Sequence, residues 1–454
     1  MSNNWENVYF IGIGGIGMSA IARYFKFKGL NVSGYDKTPS ELTAKLEQEG
    51  IAVHYEDRPD LVPEDTANTL VIYTPAVPAS LEELKYVQSK GYRVVKRSLA
   101  LGEISTGQTC LAVAGTHGKT TTSTLVAHIL TDSGMGCSAF LGGISKNYGT
   151  NMLMSQNPTV VAEADEFDRS FLQLHPAIAA ITAMDADHLD IYGDLEHVHE
   201  AFHMFASQVS ETLIIKKNLP LNRMELSARV YTYDATDENA DFHAENIRLG
   251  QDGHYTYDLR YPGGTLNDIK LGVLGMVNVE NSVAAAAICL CYGVDGQKIR
   301  HAMGSYLGAQ RRLDVHLNTP SLTYIDDYAH HPAELASAIS SIKSIFPGRK
   351  ITGIFQPHLY TRTRDFAPEF AEALSLLDKL ILLDIYPARE EPIPGVTSDI
   401  IFKDVSCAEK LLISKEELMG VLEADKDIDV LCSFGAGNID RFIAPITEML
   451  EKRI

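Results

Sequence analysis

The sequence predicts an α/β protein of three domains built on largely parallel sheets. Short apolar runs alternate with helix-like stretches from one end of the 454 residues to the other. The runs close on glycine or polar clusters and are followed by helical patterns, which is the mark of βαβ units. The length is about three times that of a typical domain. The pattern divides near residues 104 and 314, giving domains 1–104, 105–314 and 315–454.

The first domain opens with an apolar strand over 8–11, turns through glycines at 12–17, and enters a helical stretch reaching about residue 28. Further strands are predicted at Asn31–Tyr35, Thr69–Tyr73 and 93–95, and the block closes near 102–103. A strand, a glycine turn and a helix in that order make this domain Rossmann-like. The second domain starts with a strand at 110–114, a glycine turn and a helix over 120–130, the order of a P-loop nucleotide-binding domain. Strands at 159–162 and 177–184 and an alanine-rich helix over about 279–292 follow. Residues 231–261 alternate polar and aromatic side chains and read as antiparallel strands. The third domain, again Rossmann-like, has strands at 322–325, Ile351–Phe355, 380–383 and Val430–Phe434.

Composition narrows the class. The chain carries 59 Asp and Glu against 39 Lys and Arg, a formal charge of −20. That excludes a general nucleic-acid binder and a protein held on an acidic membrane, which need a basic surface. An anionic ligand must instead meet a local group of cations. Apolar residues at 45% and charged residues at 22% suit a folded chain rather than a disordered one. No apolar run approaches the roughly 18 residues of a membrane span, and the first residues lack the basic flank and apolar stretch of a secretory signal. The six cysteines form no C-x-x-C pair. A cytoplasmic protein with reduced thiols, monomeric or homodimeric, is the expectation.

Ligands of open parallel sheets sit at the carboxyl ends of strands, and three strand ends of the middle domain carry unusual polar clusters. The first runs into Gly115, Thr116, His117, Gly118, Lys119, Thr120 and Thr121. Glycines let backbone N–H groups face a phosphate, the helix offers its positive end, Lys119 adds charge, and the Thr120 hydroxyl suits Mg²⁺. Val113 replaces the first glycine of the standard phosphate loop. The second strand end carries Glu163, Asp165, Glu166 and Asp168. Four carboxylates so close call for a cation, and Glu163, first off the strand, is the best metal ligand. The third carries Asp185, Asp187, His188 and Asp190; a His contact is unusual for Mg²⁺ and acceptable to Mn²⁺. A nucleotide–metal site of an ATP- or GTP-dependent enzyme follows, and Lys119→Ala is expected to stop ADP formation with little change in melting temperature.

The amino-terminal turn, Gly12, Gly14, Gly15 and Gly17 followed by Asp36 at the end of the next strand, resembles a dinucleotide fingerprint. Its physics reports only a diphosphate on a helix amino terminus, which nucleotide sugars share with NAD. The separate phosphate loop downstream weighs against a nicotinamide-dependent oxidoreductase. Asn278 and Asn281 lie one turn apart at the start of the alanine-rich helix. In the third domain Arg311 and Arg312 sit at the junction, residues 326–332 follow one strand, and residues 356–364, with Arg362, follow another. Arginines at strand ends neutralise phosphate and carboxylate charge.

Residues 12–19 (GIGGIGMS), 115–121 (GTHGKTT), 163–171 (EADEFDRSF), 187–190 (DHLD), 278–281 (NVEN), 310–314 (QRRLD), 326–332 (DDYAHHP) and 356–364, in that order and spacing, resemble the Mur ligase family. The likeness covers essentially the whole chain. It implies an ATP-dependent ligase that joins L-alanine to the lactyl carboxylate of UDP-N-acetylmuramate through an acyl phosphate, in peptidoglycan precursor synthesis. It further implies that Gly12, Gly14, Gly15 and Gly17 bind the diphosphate, with Asp36 and Thr74 nearby. Lys119 and Thr120 would meet ATP and magnesium, with Glu163 and His188 completing the metal set. Asn278 and Asn281 would lie at the adenine, Arg312 at the transferred phosphate, and Tyr328, His330 and Arg362 at the amino acid. His330 or His188 would accept the amine proton. Leu359 stands where relatives often carry Arg, and Val277 where many carry His. A within-family alternative is the ligase that recycles murein tripeptide onto the same sugar nucleotide. That enzyme generally carries extra sequence after the acidic motif, which residues 171–176 lack here.

Overall fold

The computed structural model describes residues 5–185, 189–250, 252–388 and 390–454. They form two compact units, one of Met1–Ile247, Thr256–Gly272 and Glu280–Leu307, the other of Arg248–Tyr255, Val273–Val279 and Gly308–Ile454. The α/β architecture carries three sheets.

The first sheet contains β1 (Asn7–Ile11), β2 (Asn31–Tyr35), β3 (Ala52–His54), β4 (Thr69–Tyr73) and β5 (Arg93–Lys96). Its order is β3-β2-β1-β4-β5 with every neighbouring pair parallel. The central strands β1 and β4 are nearly continuous apolar runs because both of their faces are covered, whereas the edge strands β3 and β5 are partly exposed. Ten strands make the middle sheet: β6 (Thr109–Ala114), β7 (Ser138–Ser145), β8 (Thr150–Leu153), β9 (Thr159–Ala164), β10 (Ile178–Ile181), β11 (Thr212–Lys216), β12 (Arg229–Asp234), β13 (Phe242–Leu249), β14 (His254–Tyr261) and β15 (Gly264–Leu274). They run β15-β14-β13-β12-β11-β10-β6-β9-β7-β8.

Two local expectations need correction. β12 pairs parallel with both β11 and β13, so the polar–aromatic segment begins by extending the parallel sheet. Its alternation reflects a strand with one covered face, whatever the direction of its neighbour. The strand expected over 177–184 stops at Ile181, where Thr182 Oγ1 donates to the Ala114 and His117 carbonyls and bends the chain around the glycine turn. After β5 the first block ends in a helix, Arg97–Ser105. Gly102 obscures that helix in the sequence; a Cβ there would stand 2.4 Å from the Gln173 carbonyl oxygen, so packing demands the glycine.

The first two sheets share one core. The helix Ile16–Phe27 packs on the β7–β8 hairpin, with the Tyr24 and Phe140 rings 5.6 Å apart. Asn151 of β8, fully buried, donates to the Ile16 carbonyl and to Ser19 Oγ and accepts from Arg23. A satisfied buried amide of this kind fixes register and orientation, because breaking it strands several polar groups at once.

The second unit holds β16 (Asp314–Asn318), β17 (Thr323–Asp327), β18 (Ile351–Phe355), β19 (Lys379–Leu383), β20 (Glu409–Ile413) and β21 (Val430–Phe434). Their order is β16-β17-β21-β18-β19-β20; β16 is antiparallel and the other pairs are parallel. Two buried apolar clusters, one around Leu335, Phe370 and Leu374 and one around Leu418, Ile446 and Leu450, accompany the sheet. Among the described residues no helix is long and apolar enough to cross a membrane.

Candidate active site

The second glycine turn of the first unit, residues 115–118, is built at the end of β6. Gly115 has φ +134°, and a Cβ there would meet Thr182 Oγ1. Gly118, at φ +81°, caps the helix Lys119–Asp132. Five consecutive Ser and Thr residues, 120–124, start that helix although β-branched residues are weak helix formers. All five are buried, so tertiary packing rather than propensity holds the first turn. Thr116 donates its N–H to the Ala183 carbonyl and accepts from Asp185 N–H, while His117 Nε2 lies 3.5 Å from Asp185 Oδ2. Thr121 is buried, and its carbonyl accepts from the Tyr306 hydroxyl.

Lys119 and Thr120 face the acidic strand end. The Thr120 hydroxyl donates to Glu163 Oε1 at 3.0 Å, and Glu163 Oε2 accepts from the Gly142 N–H at 3.0 Å. Lys119 Nζ donates to the Gly115 carbonyl at 2.7 Å and to both Glu166 oxygens at 2.9 and 2.7 Å. Burial works to lower the Lys119 pKa, but the carboxylates of Glu166, Asp165 and Glu163 outweigh it and hold the ammonium above its ordinary value. Glu166 is a residue the sequence reading quoted without choosing; its carboxylate is 1% exposed, so it is a buried anion held by the loop lysine. The oxygen donors of Thr120 and Glu163 suit a hard divalent cation that keeps waters and phosphate oxygens as its other ligands. Among the described residues no three His, Cys, Asp or Glu side chains are grouped to hold a metal by themselves. His188, expected in the metal set, lies outside the described residues.

Asn281, buried, packs against the same turn: a Cβ on Gly118 would be 2.7 Å from its Oδ1, which also accepts from the Thr122 hydroxyl. In the other unit, Asn278 is buried and donates its side-chain N–H to the Leu274 carbonyl at 2.7 Å.

At the amino-terminal sheet, Gly12 has φ +87° and abuts Thr74, which begins the loop after β4. Gly14 donates its N–H to Asp36 Oδ2 at 2.7 Å, and a Cβ on Gly14 would stand 2.8 Å from that oxygen. Gly15 is the N-cap of Ile16–Phe27 and Gly17 lies in its first turn. Glycine turn, Asp36 and Thr74 therefore meet at the carboxyl edge of β1, β2 and β4.

In the second unit the guanidinium groups of Arg311 and Arg312 both lie 5.2 Å from the centre of the Tyr328 ring, but Arg311 has a further set of polar partners. Arg311 donates to Asp326 at 2.9 Å and to the Gly435 carbonyl at 2.6 Å, a buried structural pair. Arg312 instead acts on Asp327 and His330 through its charge. Arg311 and Leu313 take positive φ (61° and 44°), and Asp327 secures the strained loop by accepting from the N–H groups of Leu313 and Ala329. His330 stacks edge-on with Tyr328, and its Nδ1 lies 3.0 Å from the Tyr328 carbonyl oxygen and 3.3 Å from Glu334. Burial lowers the His330 pKa, opposed by Glu334 and reinforced by Arg362 and Arg312. Tyr328, His330 and Arg362 thus belong to one cluster, joined by His358, which the motif suggested only as part of a string. Leu359 has φ 71°, ψ 135°, unusual for leucine, and its N–H donates to the Tyr386 carbonyl.

Burial raises Asp327 to about 6, against the pull of Arg312 and its two backbone donors. The folded chain therefore holds this proton more tightly than the unfolded chain, whose Asp titrates near 4. Stability from this group is complete below pH about 4 and falls as pH rises through about 6, by on the order of 3 kcal/mol. Urea unfolding of the parent and Asp327→Asn at pH 4 to 7 reads it: the parent-minus-variant stability should decline across that window. A flat difference would refute the assignment.

Comparison with known proteins then adds what geometry alone leaves open. Residues 7–109 match the Mur ligase family catalytic domain, 113–289 the Mur ligase middle domain, and 311–437 the Mur ligase glutamate ligase domain. A UDP-N-acetylmuramate–L-alanine ligase of Parabacteroides distasonis is 53% identical, over 100% of this chain and 99% of its own. One of Porphyromonas gingivalis is 49% identical over 98% and 99%. Among solved structures, a UDP-N-acetylmuramate–alanine ligase of Thermotoga maritima superposes with a TM-score of 0.84 at 27% identity, covering 99% of this chain and all of that one. A murein peptide ligase of Psychrobacter arcticus shares the fold, with a TM-score of 0.71 at 20% identity and 98% coverage of both chains.

Proposed function

The chain belongs to the Mur ligase family, and from that premise we infer an ATP-dependent carbon–nitrogen ligase that adds L-alanine to the lactyl carboxylate of UDP-N-acetylmuramate, a step of peptidoglycan precursor synthesis. One observation supports the phosphoryl chemistry most directly. The Thr120 hydroxyl meets the Glu163 carboxylate beside Lys119, at the amino end of a helix.

The reaction brings two anions together, so positioning and charge neutralisation do most of the work. We assign the carboxyl edge of the first sheet, with Gly12, Gly14, Gly15, Gly17, Asp36 and Thr74, to the sugar nucleotide. Residues 115–121 cradle the ATP phosphates, and Asn278 and Asn281 are the residues proposed for adenine. Thr120 and Glu163, with His188 as the family pattern has it, are the residues that would hold Mg²⁺ or Mn²⁺; bound there, the ion supplies charge neutralisation at the phosphates. The carboxylate takes the terminal phosphoryl group, ADP leaves, and the amine of L-alanine displaces phosphate from the acyl carbon. Arg312 is proposed to steady the transferred phosphate. Tyr328, His330 and Arg362 are proposed to receive the amino acid. A neutral His330, with Nδ1 engaged by the Tyr328 carbonyl and Glu334, leaves Nε2 as a proton acceptor for the incoming ammonium.

The test is phosphate release with ATP, Mg²⁺ and UDP-N-acetylmuramate, comparing L-alanine, glycine, L-serine and a murein tripeptide. L-Alanine is expected to give the highest kcat/KM. Preference for the tripeptide would favour the recycling ligase, and release independent of any amine would remove the ligase reading.

A further inference from the structure

The first sheet reverses its growth between β1 and β4, and ligands of open parallel sheets lie outside the carboxyl ends of the strands at that point. Three strand ends meet there: Gly12 follows β1, Thr74 follows β4, and Arg97 follows β5. The Arg97 side chain lies directly on the glycine turn. A Cβ built on Gly17 would stand 2.9 Å from its Nη1, 3.3 Å from Cδ and 3.4 Å from Cζ. Gly17 thus lacks a side chain where the guanidinium needs the space, a role beyond the usual helix–strand approach of a third glycine. The other edge of the guanidinium faces the acidic strand end of the middle sheet, with Nη2 3.4 Å from Asp165 Oδ2. Both partners are partly exposed, 22% and 38%, and the contact is at the long limit of a hydrogen bond. This is a cation held loosely by an anion, on top of the turn that the sugar nucleotide is assigned.

The electrostatics of the chain call for such a group. A helix amino terminus offers about half a positive charge, while a diphosphate brings two negative ones to a protein of net charge −20. A planar guanidinium matches two phosphate oxygens at once and binds them more strongly than neutral donors do. We propose that Arg97 is a substrate-binding residue that takes the diphosphate of the nucleoside diphosphate sugar, exchanging Asp165 for phosphate oxygens. The proposal rests on the reading of the first sheet as the sugar-nucleotide site.

Calorimetry on the full chain tests it with UDP, UDP-N-acetylglucosamine, UDP-N-acetylmuramate and a non-hydrolysable ATP analogue. Arg97→Met is expected to weaken all three uridine ligands alike, by roughly ten- to a hundredfold, and to leave the ATP analogue within twofold. Steady-state kinetics should show the loss in KM for the sugar nucleotide, with kcat within about threefold. Arg97→Lys, which keeps the charge without the planar fork, should lose only about fivefold and keeps the test readable if the methionine variant fails to fold. Unchanged uridine affinities in both variants would overturn the proposal. So would a loss confined to UDP-N-acetylmuramate, which would place Arg97 on the lactyl carboxylate, or an equal loss for the ATP analogue, which would mark a general disturbance. A parent chain that binds none of the uridine ligands would instead bring down the sugar-nucleotide reading, and this proposal with it.

Discussion

Lys119→Ala is expected to cut ADP formation by on the order of a thousandfold and also to lower the melting temperature by several degrees. The first effect follows from losing a fixed positive charge where the triphosphate's charge shifts during transfer. The second revises the sequence-based expectation of little change in melting temperature. Its ammonium meets both oxygens of a carboxylate that is 1% exposed. Removing one member of such a buried pair costs about 3 kcal/mol or more, because the remaining charge stays desolvated. The double variant Lys119→Ala/Glu166→Gln separates the two effects. It should regain most of the lost thermal stability, since the uncompensated charge is gone, and remain inactive. Thermal melts with coupled ADP detection on parent, single and double variants make the comparison. Retained turnover in the single variant would remove the phosphate-turn assignment. A double variant no more stable than the single one would show that the pair contributes nothing to the fold.

How much of this was legible in advance depended on whether the signal was local. Strands Thr69–Tyr73, Ile351–Phe355 and Val430–Phe434 have the bounds the apolar runs suggest, because a parallel strand covered on both faces is largely apolar along its length, and Asn31–Tyr35 also has its expected bounds although its sequence is mixed. β20 was missed for the opposite reason: at the sheet edge, Glu409–Ile413 begins with two charged residues and is only partly buried. Lys119, Thr120 and Glu163 were readable because glycine turns and acidic strand ends are written in consecutive residues. Glu166 and Arg97 were not, since what matters about each is a partner 47 or 68 positions away. The different partners of Arg311 and Arg312, which share the Tyr328 ring, were likewise hidden. Two adjacent arginines look alike until Asp326 takes one of them.

Glu163→Gln tests whether the acidic strand end supplies charge or only a hydrogen-bond acceptor. The carboxylate accepts from Thr120 on one oxygen and from Gly142 N–H on the other, with Ser123 Oγ 3.4 Å away. A Cβ on Gly142 would lie within 2.4 Å of the carboxylate, so the β7 backbone is shaped around it. Glutamine keeps the size and one acceptor oxygen for the Gly142 N–H, and the Thr120 hydroxyl can rotate to accept from the amide N–H. Little change in melting temperature is therefore expected. The loss falls on the divalent ion, for which a neutral amide is a poorer ligand than a carboxylate. Turnover is expected to drop by roughly a hundred- to a thousandfold, a few kcal/mol of transition-state stabilisation, and half-saturation should move to higher Mg²⁺. Affinity for the metal-free nucleotide should stay within about twofold, because Lys119 and the turn are intact. Titrating ADP formation with Mg²⁺ in parent and variant decides the matter. An unchanged kcat with an unchanged Mg²⁺ requirement would make Glu163 a structural acceptor for Gly142 and Thr120, and the metal site would have to be sought elsewhere.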